Sequence, residues 1–504
     1  MDRFEIRIDS ADAAKLDTPL LALPLFQDAD LAADAAAVDA ALDGAVARVR
    51  ERGDFRARPD ESLLLYAAGV EGPQRVVLIG LGKREALDRE RVRRALGTAV
   101  RQAEKLGSDA VALATDAVVD VGELSAQDVG CAAAEGAVLA AWDYRELKTV
   151  EDEDAPRSRV VSLTLTGAAD ADALQEGARV GRIVAESENL ARELAARPGN
   201  IATPSHLASV AGDIATEHGL SITVLDRAKM QDEGMGALLA VAQGSEEEPR
   251  LIVLEYQGGP DGDAPLALVG KGVTFDAGGI SIKPALKMEE MKYDMGGAAA
   301  VLGAMRAIAA LDLPVNVVGV VPSTENLPSG KAVKPGDVVR SHSGKTIEII
   351  NTDAEGRLIL ADALSYVQRY HPRAILDAAT LTGAVIIGLG HHAIGLMGTD
   401  DALVDEVRSA GERTGERCWP LPLWDDYRRQ LDSAVADIQN TGGRPAGTIT
   451  AGWFLREFAG DAPWAHLDVA GTAWKDDALS YLRKGPTGIP TRLFVEWVKA
   501  RAES

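Results

Sequence analysis

Short apolar runs alternate with amphipathic stretches in the first third of the chain. Runs of five or six mostly apolar residues at 20–25, 63–67, 75–79 and 160–165 predict strands. Apolar positions at helical spacing predict helices over 30–52 and 88–106, and an Ala-rich buried helix over 132–142. The pattern therefore predicts one α/β unit over residues 1–168, an N-terminal domain.

A long helical pattern over 172–196 follows, and Pro198-Gly199-Asn200 stops it. A helix of about 25 residues extends for nearly 40 Å at about 1.5 Å per residue, which is long enough to bridge two domains. We therefore predict a linking helix within residues 169–200 and a catalytic α/β domain over residues 201–504.

From residue 203 onward, strand and helix patterns alternate. Thr203-Pro-Ser-His opens a helix, with proline near its start. Further strands are predicted at 221–225, 250–256, 266–269, 315–321, 373–378 and 464–469, and further helices at 297–311, 358–370, 402–414, 448–458 and 489–500. This alternation is typical of a largely parallel sheet covered on both faces. The predicted fold class is α/β, with two domains that each contain a mixed or parallel sheet flanked by helices and that are joined by a long helix.

Composition and charge narrow the classes of function. With 53 basic against 77 acidic residues, the net charge is -24, which argues against broad binding to nucleic acid or to an anionic membrane. Two cysteines without a Cys-x-x-Cys pair fit a reducing compartment. The N-terminus lacks the pattern of a signal peptide, and no apolar run approaches the roughly 18 residues of a membrane span. We expect a cytoplasmic protein.

The most informative stretch is Asn351-Thr-Asp-Ala-Glu-Gly-Arg-Leu358. It places Asp353, Glu355 and Arg357 between a strand-like run at 346–350 and a helical pattern, where open α/β sheets bind their ligands. If the segment is extended, the two carboxylates point to the same side and suit a divalent metal. The alternative is a polar turn in which Asp353 is the N-cap of the helix.

A glycine-rich segment upstream supports the metal interpretation. Residues 269–284 follow a predicted strand and set Lys271, Asp276 and Lys283 in irregular backbone, and Asp294 lies just before a helix. Such a loop could bind phosphate, but the two aspartates would repel that anion.

Other sequence signals do not favour a different chemistry. Gly80-Leu-Gly82-Lys83 lacks the remaining residues of a nucleotide motif and indicates a tight turn. No Gly-x-Ser-x-Gly motif is present, and the adjacent His391 and His392 fit structural or surface roles. The ligands of a metal would therefore be mainly oxygens.

These segments resemble the leucyl aminopeptidases, the cytosol aminopeptidase family with two metals. The resemblance runs in order over roughly residues 180–500, and the octapeptide 351–358 is its most specific part. It rests on residues 271–283, 291–297 and 351–358, and further on Val321-Pro-Ser-Thr-Glu-Asn326, Asp377-Ala-Ala-Thr-Leu-Thr-Gly-Ala384 and Trp464-Ala-His-Leu-Asp-Val-Ala-Gly471.

The resemblance implies a set of site residues. The metal ligands would be Lys271, Asp276, Asp294, Asp353 and Glu355. Asp276 and Glu355 would bridge the ions; Lys271 and Asp294 would complete the tighter site, and Asp353 the exchangeable one. Lys283 and Arg357 would be catalytic. Lysine ligates only as a neutral amine, so the metal must lower its pKa from about 10.4.

The resemblance also implies the chemistry and the partners. Two divalent ions, Mn or Zn, would activate a bridging water, with bicarbonate on Arg357 as general base and Lys283 on the oxyanion. Met291, Thr380, Leu381 and Gly383 would line a substrate pocket that prefers leucine and other apolar residues. Peptides would be the substrates, and the assembly would be a homohexamer.

Two other classes of function compete with a peptidase. Some bacterial relatives combine the peptidase with DNA binding, but the net charge of -24, without an obvious basic cluster in residues 1–168, disfavours that role here. A catalytically idle binding module would keep the fold, yet the ligand set and both catalytic cations are intact.

Overall fold

A computed structural model describes residues 4–67, 71–149, 158–167 and 170–503 of the chain. Within these ranges the chain forms two compact units, Met1–Glu186 with Asp476–Lys484, and Ser187–Lys475 with Gly485–Ser504. The units divide inside a long helix, and Asp476–Lys484 returns to the first unit, which the predicted domain bounds do not anticipate. The role of 169–200 as a linker stays a prediction.

The first unit is built on a mostly parallel sheet. Its described strands are β1 (Glu5–Asp9), β2 (Leu21–Leu25), β3 (Ser62–Tyr66), β4 (Arg75–Gly80), β5 (Ala110–Ala114) and β6 (Ser162–Thr166). They lie in the order β1-β6-β5-β2-β4-β3, and only the β3–β4 pair is antiparallel among the described pairs. The sequence indicated four of these strands and missed β1 and β5.

Helices cover both faces of this sheet. They are α1 (Ala33–Ala41), α2 (Ala45–Glu51), α3 (Arg89–Leu106), α4 (Ala126–Ala141) and a 3₁₀ turn at Arg84–Ala86. The single helix predicted over 30–52 is wrong, because Asp43 and Gly44 adopt left-handed φ values of 52° and 75° and separate α1 from α2. The predicted α3 is confirmed; Asp88 caps it by accepting a hydrogen bond from the Arg91 amide.

The long helix α5 (Ala171–Ala196) confirms the helical pattern at 172–196. The second unit follows. Its strands in the described part of the chain are β7 (Ser221–Leu225), β8 (Arg250–Gln257), β9 (Leu266–Gly270), β10 (Gly272–Asp276), β11 (Asn316–Asn326), β12 (Val338–Arg340), β13 (Thr346–Glu348), β14 (Ala374–Ala379), β15 (Ile394–Gly398), β16 (Cys418–Pro420), β17 (Ile438–Gln439), β18 (Trp464–Asp468), β19 (Trp474–Lys475) and β20 (Gly485–Pro486).

The helices of the second unit separate most of its strands. They are α6 (Pro204–His218), α7 (Arg227–Asp232), α8 (Gly236–Ala242), α9 (Gly296–Ala310), α10 (Gly356–Val367), α11 (Gly383–Leu389), α12 (Asp401–Thr414), α13 (Asp425–Arg428), α14 (Gly447–Arg456) and α15 (Thr491–Ala502). Short 3₁₀ helices lie at Met288–Tyr293, Gln368–Tyr370 and Arg429–Leu431. The helices predicted from residue 203 onward are confirmed to within a few residues.

The main sheet of the second unit has the order β16-β15-β18-β14-β9-β11-β8-β7, with β10 paired to β11. The pairs β18–β14, β14–β9, β9–β11 and β10–β11 are parallel, whereas β7, β8 and β15 add antiparallel pairs. The α/β fold class is confirmed. Irregular backbone was predicted at Asp276; Asp276 ends strand β10, and the pairing of β10 with β11 shifts register between Val273 and Asp276.

The parallel strands bring several polar residues to one edge of this sheet. Strands β9, β10, β11, β14 and β18 end at Gly270, Asp276, Asn326, Ala379 and Asp468. Because the carboxyl ends of parallel strands meet at the same edge, this edge is where a ligand is expected. Leucine, valine and alanine side chains from β9, β11, β14 and α10 pack beneath it as a buried core.

Two further predictions concerned the cysteines and the lack of a membrane-spanning segment. Of the two cysteines, Cys418 is buried and Cys131 is half-buried. None of the helices in the described ranges is long and apolar enough to span a bilayer.

Candidate metal centre

Lys271 forms the centre of a buried ionic cluster. It follows β9, and its backbone is fixed on both sides: its amide donates to the Ala378 carbonyl and its carbonyl accepts from the Ala298 amide. Its Nζ lies 2.8 Å from both Asp294 carboxylate oxygens and 2.8 Å from Glu355 Oε1. We call Lys271, Asp294 and Glu355 the inner cluster.

Lys283 forms a second cluster nearer to solvent. Its Nζ lies 2.8 Å from Asp276 Oδ2 and 2.6 Å from Asp353 Oδ1. The Lys283 side chain is 21% exposed and that of Asp353 33%, whereas Asp276 is buried. We call Lys283, Asp276 and Asp353 the outer cluster.

Carboxylates of the two clusters converge on one point. One oxygen each from Asp276, Asp353 and Glu355 can be chosen so that all three lie within 4.8 Å of one another. Asp276 arrives from the end of β10, and the other two from the segment before α10. Four carboxylates against two lysines leave an excess negative charge, which suits divalent cations with oxygen ligands.

The segment that carries Asp353 and Glu355 is a turn. Strand β13 ends at Glu348, and α10 begins at Gly356 with Glu355 at its N-cap position and without a side-chain cap. Both the strand geometry considered for 353 and 355 and the alternative of Asp353 as N-cap are therefore wrong. Asn351 Oδ1 accepts the Asp353 amide at 2.9 Å and shapes the turn.

Two glycines make room for the lysine side chains and the carboxylates. A Cβ atom on Gly356 would lie 2.6–2.8 Å from the last atoms of Lys271, so glycine at the start of α10 lets this lysine reach Glu355. Gly278 has a φ of +87°, and a Cβ there would lie 2.8 Å from Asp353 Oδ1. Both positions need glycine for a close approach.

Uncharged side chains fix the aspartates. Asn326 Nδ2 donates to Asp276 Oδ1 at 2.8 Å and to the Thr352 carbonyl at 3.0 Å. Thr380 Oγ1 donates to Asp294 Oδ1 at 2.6 Å. No role was predicted for Asn326, although its position just after a predicted strand could have indicated a contact with the metal ligands.

Burial and ion pairing shift the pKa values in this centre. Burial opposes the charged form of each lysine, but the carboxylates around them, foremost Asp294 for Lys271 and Asp276 for Lys283, raise both lysine pKa values. Burial raises the pKa of Asp276 to about 6 and that of Asp294 well above its ordinary value. For Glu355, Lys271 and Lys283 overcome burial and lower the pKa.

Arg357 is a buried cation without a carboxylate partner within ion-pair distance in the described part of the chain. Its Nη1 donates to the Asn440 carbonyl at 2.9 Å, and its buried Nε has no hydrogen-bond partner among the described residues. Burial lowers its pKa to about 10, and Glu355 and Asp468 oppose that shift. A buried guanidinium with a free donor is suited to a small planar anion such as bicarbonate.

Two of the predicted pocket residues are linked to the inner cluster, Met291 by its position in the sequence and Thr380 by a hydrogen bond. Met291 is in the 3₁₀ helix that ends before Asp294, and Thr380 contacts Asp294 directly. Leu381 and Thr382 are tied to the end of β18, since the Leu381 amide and the Thr382 hydroxyl both donate to Asp468. Gly383 begins α11. Asp468 was not given a role from the sequence.

Comparison with known proteins assigns this arrangement to a family. The catalytic domain of the cytosol aminopeptidase family matches residues 189–495, and the family's N-terminal domain matches residues 22–151. The chain belongs to the cytosol aminopeptidase family. It is accordingly a metal-dependent aminopeptidase, a hydrolase that acts on peptides.

Individual members of the cytosol aminopeptidase family align over nearly the whole chain. A probable cytosol aminopeptidase of Geobacter sulfurreducens is 46% identical over 465 residues, 92% of this chain and 93% of the relative. A point mutant of tomato leucine aminopeptidase superposes with a TM-score of 0.88 at 34% identity, covering 99% of this chain and 97% of that chain. The bottromycin maturation enzyme BotP, in complex with Mn, gives 0.84 at 35% identity, covering 96% and 99%.

Proposed function

We propose that this aminopeptidase removes the N-terminal residue of peptides at the convergence of the inner and outer clusters, with a preference for leucine and other apolar residues. The observation that supports this most directly is the approach of Asp276, Asp353 and Glu355 to within 4.8 Å, with Lys271 and Lys283 beside them. Lys271, Asp276, Asp294, Asp353 and Glu355 would hold two divalent ions, Mn or Zn. The Mn complex of BotP supports manganese.

The chemistry that such ions supply when bound is polarisation of the scissile carbonyl and a water nucleophile that ionises near neutral pH. The residues of the chain provide the rest. Lys283 sits at the mouth of the centre with a partly exposed ammonium group, so it can donate to the carbonyl oxygen as that oxygen becomes negative. One such donor contributes about 3–4 kcal/mol to the transition state in comparable sites.

Arg357 would hold the general base. Among the described residues, its Nε has no hydrogen-bond partner and its guanidinium forms no ion pair. Arg357 could therefore hold bicarbonate, which would supply a general base beside the attacking water. Removal of bicarbonate should then lower the turnover of the unmodified protein and leave an Arg357→Ala variant unaffected. Equal responses of the two proteins would contradict this role.

Substrate preference would depend on Met291, Thr380, Leu381 and Gly383. Met291 offers an adaptable apolar wall, and Asp468 holds the backbone of the 381–382 segment in place. Because one methylene changes binding by only about 1–3 kcal/mol, leucine should be preferred without the exclusion of similar side chains.

The proposed reaction is tested with Leu-p-nitroanilide and its N-acetylated form as a matched control. We expect cleavage of the free-amine substrate only, loss of cleavage with a chelator, and recovery with Mn²⁺ or Zn²⁺. Full activity in metal-stripped protein, or cleavage of the acetylated substrate, would contradict the proposal.

The assembly and location are proposed from the family alone. The relatives are named cytosol aminopeptidases, which supports a cytoplasmic enzyme, and the resemblance implies a homohexamer. Sedimentation analysis should give six chains per particle, and a smaller particle at working concentration would contradict the hexamer.

A further inference from the structure

Asn440 is a buried residue that the catalytic assignment leaves without a role. It follows β17 and is 0% exposed. Its hydrogen bonds go to the segment 348–357, which carries Asp353, Glu355 and Arg357. No signal in the sequence around it pointed to the metal centre.

The backbone of Asn440 extends a sheet up to the functional turn. Strand β17 pairs in parallel with β13, through Ile347 with Ile438 and Glu348 with Gln439. The Asn440 amide continues this ladder by donating to the Glu348 carbonyl at 2.9 Å. Its carbonyl accepts Arg357 Nη1 at 2.9 Å, so the backbone of a single residue connects the end of the sheet to the arginine.

Beyond the ends of β13 and β17, the side chain of Asn440 continues the hydrogen bonding to the backbone of residues 350–354. Its Oδ1 accepts the amides of Ile350 and Asn351 at 2.8 and 3.3 Å. Its Nδ2 donates to the carbonyls of Asn351 and Ala354 at 2.7 and 3.3 Å. The donated bonds therefore reach both sides of Asp353 and close the turn around it.

We propose that Asn440 is a positioning residue that holds Asp353 and Arg357 in the geometry needed for the exchangeable metal ion and for the anion. This inference rests on the proposed function. Asn440 touches neither Lys271 nor Asp294 through any hydrogen bond in the described part of the chain. Its influence should fall on the outer half of the centre and spare the inner cluster.

The chemistry of the site requires an amide at position 440. The oxygen faces two N–H donors and the nitrogen faces two carbonyl acceptors, so the orientation of the amide is determined. Aspartate has nearly the same shape but would set an acceptor oxygen against the carbonyls of Asn351 and Ala354. Alanine removes all four side-chain bonds.

The test is a titration of metal-stripped, full-length protein with Mn²⁺ by calorimetry. Asn440→Ala and Asn440→Asp are compared with the unmodified chain. The matched control is Asn316→Ala, because Asn316 also bonds backbone on both sides, accepting from Gly259 and donating to Pro260 and Asp263, and it does so away from the centre.

We expect the unmodified chain and Asn316→Ala to bind two ions per chain. Both Asn440 variants should keep the tighter ion at unchanged affinity and bind the second about 10- to 100-fold more weakly, the range typical of residues that orient a metal ligand. If Asn440→Ala does not fold, the titration is carried out with Asn440→Asp alone, because aspartate keeps the shape of the side chain.

Two results would overturn the inference: unchanged binding of both ions in folded Asn440 variants, or equal weakening of both ions. Failure of the proposed function has a different signature, namely fewer than two ions bound by the unmodified chain.

Discussion

The inner and outer clusters have the same composition, one lysine between two carboxylates, but they differ in their access to water. The inner side chains of Lys271, Asp294 and Glu355 are 3%, 8% and 2% exposed. In the outer cluster, Lys283 and Asp353 are 21% and 33% exposed. Asp276 is buried like the inner side chains, so the difference lies in Lys283 and Asp353, whose charges water screens more. We therefore expect burial to set how firmly each half would hold a cation.

A buried carboxylate outside the two clusters, that of Asp362, shows what the lysines contribute. Asp362 on α10 is 0% exposed and accepts hydrogen bonds from the backbone amides of Leu238 and His342. Burial raises its pKa to about 7. Glu355 is buried as well, yet Lys271 and Lys283 lower its pKa. Lys271 and Lys283 thus favour the ionised form of Glu355, whereas burial still raises the pKa of Asp276 and Asp294 beside the same lysines.

The largest effect is expected at Glu355, because it belongs to the inner cluster and also approaches the outer carboxylates. Glu355→Gln keeps the shape and removes the charge. We expect kcat/KM to fall by at least about 10³-fold and the bound metal to decrease with it. Steady-state kinetics with elemental analysis measures both, and Glu289→Gln on the nearby 3₁₀ helix is the control. Retention of either metal or turnover would count against a shared ligand.

The next effect is a difference between Lys271 and Lys283 in what each contributes to the free energy of unfolding. In chelator-treated protein, Lys271→Met leaves Asp294 and Glu355 buried without their cation, which should cost about 3–5 kcal/mol of unfolding free energy. Lys283→Met leaves the buried Asp276 without its lysine, but water can still solvate the partly exposed Asp353, so the cost should be smaller, about 1–3 kcal/mol. Urea unfolding of both variants and the unmodified chain measures the difference. Equal costs would remove the distinction between inner and outer.

The third prediction concerns Asp362 and the pH dependence of stability. Its folded pKa of about 7 lies above the ordinary 3.8. The folded chain therefore holds a proton that the unfolded chain has lost, and stability falls as pH rises from about 4 to about 7, by at most about 1.4 kcal/mol per pH unit.

Asp362→Asn removes this titration. We expect the stability of the unmodified chain, relative to that of Asp362→Asn, to decrease between about pH 4 and about pH 7. Urea unfolding at several pH values provides the measurement. Parallel curves for the two proteins would show that burial alone does not shift a carboxylate here.

The sequence contained most of the fold and much of the candidate centre. Apolar periodicity located the helices of the second unit, and the motif residues Lys271, Asp276, Lys283, Asp294, Asp353 and Glu355 do come together. Local patterns work here because central strands such as β9 are continuous apolar runs, and because Thr203 and Asp400 cap α6 and α12.

Two kinds of feature were not predicted from the sequence: a local break in a helix, and contacts between segments that are distant in the chain. The break at Asp43-Gly44 follows from two left-handed residues in a stretch that otherwise keeps helical spacing. The hydrogen bonds that Asn440 makes to the turn at 351–354 join residues about 90 positions apart, and a local sequence pattern cannot predict such contacts.

The most direct test of the difference between the clusters is the Mn²⁺ titration of metal-stripped Asp294→Asn and Asp353→Asn beside the unmodified chain. We expect Asp353→Asn to keep one tightly bound ion and lose the exchangeable one, and Asp294→Asn to lose the tight ion. If both variants lose the same ion, or if Asp353→Asn loses the tighter one, burial does not set the order of the two sites.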